Sequence, residues 1–274
     1  LKTRKIAVVT GTRAEYGLLE PILRLIAGDC ALRLQLIVTG AHLEPRLGMT
    51  VREVLKDGFK ISARVPMPLS TDSSQGVASA MGRGMVGFAQ AYAKLKPDVL
   101  VVLGDRYEIL AAVSAALPFK IPVAHIHGGE ASEGVWDESI RHAVTKLSHL
   151  HFAALPAYAR RIKAMGEDPR KVFCFGSPAK DRIRSLPRLS RGQLEKALGL
   201  PLKRPVGVVT YHPDTLDKDN GASHAAGLLA ALKEREGTWI LTYPNADAGG
   251  RGIISQIERF VKTYKNGRAK AFSS

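Results

Sequence analysis

The sequence predicts an α/β fold in which a parallel sheet is covered by helices on both faces. Strand-like and helix-like segments alternate along nearly the whole chain. The strand-like segments are short and apolar without polar alternation, which is typical of strands buried on both faces; the clearest is 98–103 (DVLVVL). Turns rich in glycine and charged residues follow these segments. Together, these three features favour parallel strands joined by helical crossovers.

The first strand is predicted at 5–10 (KIAVVT), and Gly11 breaks it before apolar residues recur at helical spacing over 16–27, with Pro21 in the first turns. Further apolar runs predict strands at 32–38, 98–103, 123–126, 149–153 and 172–175. Helical periodicity predicts helices at 75–95, 106–117, 137–147 and 156–165.

A change in composition predicts a domain boundary. Residues 186–205 contain three prolines around a basic amphipathic piece at 189–200. We therefore expect an N-terminal domain over 1–185, a boundary segment over 186–205 and a second domain from 206 to 274. In the second domain, strands are predicted at 206–210 and 238–242, and helices at 222–233 and 252–264. Two strand–helix units amount to about half of an ordinary α/β domain, so we expect this one to be incomplete.

The composition excludes several classes of protein. In 274 residues, 45% are hydrophobic, which excludes a disordered chain, and two cysteines exclude a disulfide scaffold. No run approaches the roughly 18 apolar residues of a membrane span, and the first residues do not read as a signal peptide. We expect a cytoplasmic protein without a membrane partner.

The formal charge of +15 raises the alternative of a nucleic-acid-binding protein. The excess is regional, because residues 151–200 hold 11 basic and 4 acidic side chains, whereas residues 101–150 hold 4 and 6. Aromatic residues make up 6% and are not interleaved with the basic runs, so base stacking is not indicated. We therefore expect no nucleic-acid partner.

Polar and charged residues follow nearly every predicted strand. Ligands of open α/β sheets bind beyond the carboxyl ends of the strands, so these turns are the candidate site. They are 11–15 (GTRAE), 104–106 (GDR), 125–130 (HIHGGE), 176–178 (GSP), 211–213 (YHP) and 244–247 (PNAD). None is a Walker A loop or a G-x-G-x-x-G fingerprint, which disfavours P-loop and dinucleotide-binding proteins.

Each candidate has a structural alternative. Arg13, at a helix N-terminus, suits a phosphate or carboxylate, but a surface arginine in a tight turn is equally expected. Asp105 is predicted to cap the next helix even if it also acts in catalysis. His125 and His127 point to the same side of a strand, yet no third ligand stands out, and we predict no metal. The carboxylates that follow, from Glu130 to Glu138, suit acid/base chemistry or a helix N-terminus.

Two basic groups have the same ambiguity. Arg141, with His142 beside it, is interpreted as an anchor for the acidic loop rather than as a catalytic residue. His212 directly follows the first strand of the second domain, where it is either a proton donor or a packed loop histidine.

Taken in order, six motifs resemble the UDP-N-acetylglucosamine 2-epimerase family, most closely its hydrolysing branch of sialic-acid-type pathways. They are 11–16 (GTRAEY), 104–108 (GDRYE), 125–130 (HIHGGE), 137–142 (DESIRH), 211–213 (YHP) and 244–247 (PNAD). The resemblance implies two Rossmann-like parallel-sheet domains, similar to GT-B glycosyltransferases, with the active site in the cleft between them. It implies a UDP-GlcNAc-type nucleotide-sugar substrate, a homodimer, and no metal or other cofactor. The implied reaction is elimination of UDP to a 2-acetamidoglucal, followed by hydration to N-acetylmannosamine.

The resemblance also implies roles for individual residues. Asp105, Glu130 and Asp137 match acid/base carboxylates; Arg13 and His212 match partners of the diphosphate, with His212 able to protonate the leaving group. Glu15, Arg106, Asp181 and Asn245 match substrate-binding positions.

Two departures from the family pattern matter. Where many members carry a carboxylate, this chain has His127, so the base at C2 is either Glu130 or His127. The serine-rich loop that holds the nucleotide in the family would lie beyond Ser274, so weak UDP binding is expected. A GT-B glycosyltransferase remains the alternative function.

Overall fold

The computed structural model describes residues 3–45, 48–68, 73–132, 135–212, 219, 221–244 and 250–272. Its contacts separate two compact units, Leu1–Ser185 and Leu186–Ser274. The predicted boundary segment, 186–205, falls in the second unit and contains a helix. Within the described residues, no helix combines the length and the apolar character that crossing a membrane requires.

The first unit is built on a seven-stranded sheet in the order β3-β2-β1-β4-β5-β6-β7, and all its described pairings are parallel. The strands are β1 (Arg4–Thr10), β2 (Leu32–Thr39), β3 (Ile61–Val65), β4 (Val99–Leu103), β5 (Val123–Ile126), β6 (Leu150–Ala153) and β7 (Val172–Cys174). The helices are α1 (Arg13–Gly28), α2 (Val51–Lys56), α3 (Ser74–Leu95), α4 (Tyr107–Ala116), α5 (Asp137–Lys146), α6 (Pro156–Ala164) and α7 (Pro178–Ser185). The predicted α/β class is confirmed.

The strand β1 is buried on both faces. Successive side chains of a strand point to opposite sides, so Ile6 and Val8 pack with α1 while Ala7 and Val9 pack in the cluster that contains α3 and α4. The three-layer arrangement therefore follows from the uninterrupted apolar run. It also holds the turns after the strands on a rigid base.

The second unit contains a three-stranded parallel sheet in the order β10-β9-β8. Its elements are α8 (Arg191–Leu198), β8 (Val206–Thr210), α9 (Ala222–Lys233), β9 (Gly237–Thr242), α10 (Gly250–Thr263) and β10 (Gly267–Phe272). Leu229, Leu241, Ile257 and Phe260 belong to its core, in which α9 and α10 pack together with the sheet.

Four elements are not predicted from the sequence, namely α2, α7, β3 and β10, and α8 lies in the piece predicted only as amphipathic. Both strands lie at edges of their sheets, and their sequences, ISARV and GRAKAF, lack a continuous apolar run. Edge strands need less burial, so their pattern is weaker. The helix α1 also begins one turn before its predicted start, because Thr12 caps it by accepting a hydrogen bond from the backbone N–H of Glu15.

Candidate active site

The order of the strands places the candidate site at the carboxyl ends of β1 and β4. These strands are neighbours, and chain connections run outward from them in opposite directions, which makes a topological switch point. The turns after them approach closely: a Cβ on Gly11 would lie 3.6 Å from Cβ of Glu108. The turn after β5 adjoins them, because the Gly104 N–H donates to the carbonyl of Ile126 at 3.0 Å.

Asp105 is held by Arg141 of α5 rather than by the helix that follows it. Nη2 of Arg141 donates to Oδ2 of Asp105 in an ion pair, and the arginine side chain is 9% exposed. The prediction that Asp105 caps α4 is wrong: the N-cap is Arg106, and no side chain accepts there. Arg141 therefore anchors the aspartate, and within the described residues of the acidic loop it is His142 that pairs with Glu138, at 3.5 Å.

His127 and Glu130 form the shortest carboxylate–imidazole contact of the described site. Nδ1 of His127 lies 2.6 Å from Oε1 of Glu130, and Nε2 lies 3.1 Å from Oγ of Ser177 after β7. Both side chains are partly accessible, at 17% for His127 and 23% for Glu130. Because each imidazole nitrogen has a partner, the ring is fixed in the plane of the two contacts.

The turn that carries this pair is tightly packed. The strand β5 ends at Ile126, and His127 has a φ of 66°, in the left-handed region that non-glycine residues rarely adopt. Gly129 has a φ of 74°, and a Cβ there would lie 2.5 Å from the carbonyl oxygen of Tyr158. Nη1 of Arg161 donates to the carbonyl of Gly129 at 2.6 Å. The turn is thereby clamped against α6.

This geometry changes the interpretation of the two histidines. His125 is a fully buried strand residue whose Nε2 lies 2.8 Å from the carbonyl oxygen of Gly104, and burial lowers its pKa to about 4. His127 lies beyond the strand, so the expectation that both rings point to one side of a strand is wrong. Among the residues that the structure describes, no cluster of His, Cys, Asp or Glu side chains has an arrangement suited to a metal.

Glu15 and Glu108 form a buried carboxylate pair beneath the first turn. Oε2 of Glu15 accepts from the Gly11 N–H at 2.8 Å, and Oε2 of Glu108 accepts from Nε of Arg106 at 3.2 Å. The two residues are 6% and 1% exposed. Burial, and next the charge of Glu108, raises the pKa of Glu15 to about 7. Glu15 thus supports the Gly11 turn, and Glu108 orients Arg106.

The other predicted residues of the first unit lie at the starts of helices. Arg13 opens α1, is half-exposed, and forms an ion pair with Glu53 at 3.0 Å. Asp137 opens α5, and Asp181 lies exposed in the first turn of α7. In the second unit, exposed His212 follows β8. Asn245 lies outside the described residues.

A sequence model of the family described as UDP-N-acetylglucosamine 2-epimerase matches residues 25–273. The chain belongs to this family. The match identifies the protein as an enzyme of the 2-epimerase class.

Two similar relatives carry names that specify a reaction and a substrate. A Campylobacter jejuni protein named GDP/UDP-N,N'-diacetylbacillosamine 2-epimerase (hydrolyzing) is 38% identical over 100% of this chain and 71% of the relative. A Legionella pneumophila protein named UDP-N,N'-diacetylbacillosamine 2-epimerase (hydrolyzing) is 36% identical over 94% of this chain and 68% of the length of that relative.

Among solved structures, the UDP-GlcNAc 2-epimerase of Neisseria meningitidis bound to UDP-GlcNAc superimposes with a TM-score of 0.76. The superposition covers 98% of this chain and 72% of the Neisseria chain, with 18% sequence identity. This likeness supports the two-domain GT-B-like fold.

Sequence reasoning misses two contacts in the candidate site. The sequence indicates Ser177 only as a residue after a strand, and its contact with His127 joins positions 50 residues apart. Arg141 is expected at the acidic loop, whereas its partner Asp105 lies 36 residues away. Because ligands of open α/β sheets bind beyond the carboxyl ends of the strands, the sequence assigns Asp105, His127 and Ser177 to one region. It does not indicate which of their side chains are in contact.

Proposed function

We propose that the protein is a hydrolysing 2-epimerase of a nucleotide-activated 2-acetamido sugar. In the first step, a base removes the proton at C2, the C1–O bond to the diphosphate breaks, and a C1–C2 double bond forms in a 2-acetamidoglucal. In the second step, water adds its oxygen at C1 and a proton returns to C2 on the opposite face. Family membership and the names of the hydrolysing relatives support this reaction.

The observation that carries the proposal is the hydrogen bond of 2.6 Å between His127 and Glu130 at the end of β5. A carboxylate only accepts hydrogen bonds, so in the neutral ring the proton sits on Nδ1 and Nε2 keeps its lone pair. We assign Nε2 of His127 as the base at C2 and Glu130 as the carboxylate that orients it and stabilises the imidazolium.

Asp105 and Asp137 complete the proposed acid/base set. The ion pair with Arg141 fixes the Asp105 carboxylate at the end of β4, where proton transfer to or from the sugar requires a positioned group. Asp137 stands at the start of α5, on the same helix as Arg141. We propose that one of these residues acts as a carboxylic acid that gives its proton to the leaving group or to C2, and takes up the proton that the attacking water releases at C1.

The departing diphosphate needs cationic partners, because negative charge develops on it as the C1–O bond breaks. Arg13 at the N-terminus of α1 and Arg106, which Glu108 orients, suit this role. Glu15 contributes by holding the Gly11 turn on which Arg13 stands. We keep His212 as a proposed partner of the diphosphate that is able to protonate the leaving group, and Asp181 and Asn245 as proposed substrate contacts at positions that match the family.

The test is turnover in deuterated water followed by NMR. We expect release of the nucleoside diphosphate and a free 2-epimeric sugar with deuterium at C2. Sugar transfer to an acceptor without exchange would instead indicate a glycosyltransferase, and the absence of both would refute the proposal.

The same assay, run with three donors, identifies the substrate. UDP-GlcNAc is the bound sugar nucleotide of the Neisseria structure, whereas the 38% and 36% identical relatives are named for diacetylbacillosamine. We therefore propose UDP-GlcNAc or its 2,4-diacetamido counterpart. A higher kcat/KM for the UDP- or GDP-linked diacetamido sugar would place the protein with those two relatives.

A further inference from the structure

The Ser177 side chain contacts Nε2 of His127, the nitrogen proposed as the base. Its Oγ lies 3.1 Å from Nε2 of His127, on the opposite edge of the ring from Glu130. The residue follows β7 and precedes α7, so the contact joins the turns after β5 and β7. None of the family motifs recognised in the sequence includes Ser177.

The directions of these hydrogen bonds follow from the chemistry of the groups. Glu130 accepts from Nδ1–H, which leaves Nε2 of the neutral ring as an acceptor. The Ser177 oxygen itself accepts from the Ala179 N–H at 3.3 Å, and its one proton is then directed at Nε2. When the ring is protonated, the same oxygen can accept from Nε2–H. A hydroxyl can therefore form a hydrogen bond with Nε2 of His127 whether the imidazole is neutral or protonated.

The position of Ser177 is set by the anchoring of α7. Nη1 of Arg182 on this helix binds Oε2 of Glu20 at 2.8 Å, and the Glu20 side chain is 4% exposed. Glu20 lies on α1, so α7 is fixed to the helix that covers the sheet. The serine is thus held against the imidazole by the fold and not by a loose surface loop.

The arrangement of serine, imidazole and carboxylate also resembles the triad of acyl-transfer enzymes. In α/β-hydrolases, the residue after the nucleophile donates a backbone N–H to the oxyanion. Here that residue is Pro178, which has no N–H. The geometry therefore favours a Ser177 that orients His127 through a hydrogen bond over a Ser177 that acts as a nucleophile on a carbonyl group.

We propose that Ser177 is a positioning residue for His127. With Glu130 on Nδ1 and Ser177 on Nε2, the ring cannot rotate, and the tautomer with a basic Nε2 is retained. When substrate arrives, the Ser177 O–H turns away from Nε2 and keeps its proton, Nε2 takes the proton of C2, and the Ser177 oxygen then accepts a hydrogen bond from Nε2–H of the imidazolium. This inference rests on the proposed function, in which His127 is the base.

Kinetics of Ser177→Ala test the inference. Loss of one hydrogen bond of about 1.4 kcal/mol corresponds to about a tenfold lower kcat, with KM little changed. Ser177→Thr keeps the hydroxyl and should retain kcat within about threefold. Ser185→Ala is the matched control, because Ser185 lies at the other end of α7, where its hydroxyl donates to the carbonyl of Arg182.

Ring ¹⁵N shifts of His127, assigned with His127→Gln, give a readout independent of turnover. In the neutral ring of the parent protein, the two nitrogens should give one protonated and one unprotonated signal; in Ser177→Ala, recorded at the same pH, the signals should move toward each other. Should Ser177→Ala unfold, Ser177→Cys, with a weaker donor, carries the same expectation.

Unchanged ring shifts in Ser177→Ala, or a kcat within about twofold of the parent, would overturn the inference. If the parent protein exchanges no deuterium into any donor sugar, the proposed function fails, while the ring shifts still decide the contact. Loss of activity in Ser177→Thr equal to that in Ser177→Ala would also refute a role for the hydroxyl.

Discussion

Replacing Gly129 by alanine tests whether the His127–Glu130 turn is held by its close approach to α6. At a φ of 74°, an alanine costs about 1–2 kcal/mol of backbone strain. Its Cβ would also stand 2.5 Å from a backbone oxygen of Tyr158 and 2.7 Å from Cγ1 of Ile162. Overpacking of this kind costs about 1–3 kcal/mol more. We expect Gly129→Ala to lower the free energy of unfolding by about 2–5 kcal/mol.

Gly166→Ala is the matched control at the other end of α6. Gly166 has a φ of 90°, but a Cβ there would have no neighbour within 4 Å. It should therefore cost the backbone strain alone, about 1–2 kcal/mol. The difference between the two variants, about 1–3 kcal/mol, measures the packing of the turn against the helix.

The assay is urea unfolding followed by tryptophan fluorescence. The chain contains two tryptophans, so a Trp239→Phe background leaves Trp136 as a reporter of the first unit. In Gly129→Ala, kcat should also fall, because a displaced turn separates His127 from Glu130. If both glycine variants lose the same stability within about 0.5 kcal/mol, the clamping of the turn is refuted.

Three further predictions concern individual carboxylates. Asp105→Asn should lower kcat at least 100-fold (about 2.7 kcal/mol) with unchanged circular dichroism. The control Asp168→Asn, at the exposed ion pair with Arg170, should leave kcat unchanged. A kcat of Asp105→Asn within about tenfold of the parent would contradict the role of Asp105 in acid/base catalysis. Glu130→Gln should lower kcat about 10²–10⁴-fold with a smaller change in KM, measured by steady-state kinetics; an unchanged kcat would remove Glu130 from the mechanism. Because the folded-state pKa of Glu15 is about 7 against an ordinary 4.5, the folded protein binds its proton more tightly. Stability should therefore fall by about 3 kcal/mol as pH rises between these values and level off above them. The free energies of unfolding from urea titrations at about pH 5 and about pH 8 should show most of this loss in the parent and not in Glu15→Gln; equal losses would count against the buried pair.

The sequence by itself determined the α/β class and most elements, because burial on both faces requires a strand to be apolar throughout. The prediction of 123–126 agrees with β5 residue for residue, as does that of 222–233 with α9. Edge strands such as β3 do not need such a run, which is why a local pattern missed them.

The sequence also determined the set of turns from which the site is built. Parallel strands place their carboxyl ends at one edge of a sheet, so the positions of Asp105, His127 and Ser177 directly after strands are enough to assign them to one region. The clustered carboxylates indicated proton transfer, and six motifs in their order along the chain indicated the family that the comparisons confirmed.

Only the tertiary structure decided which of these side chains meet. The partners Asp105 and Arg141, or His127 and Ser177, come from different turns and helices, and their contacts depend on strand order, register and the anchoring of α7. Burial of Glu15 beside Glu108 is likewise a product of packing. Local sequence fixes the backbone type of a segment, but the neighbours of a side chain depend on how distant segments pack, and local patterns do not encode that packing.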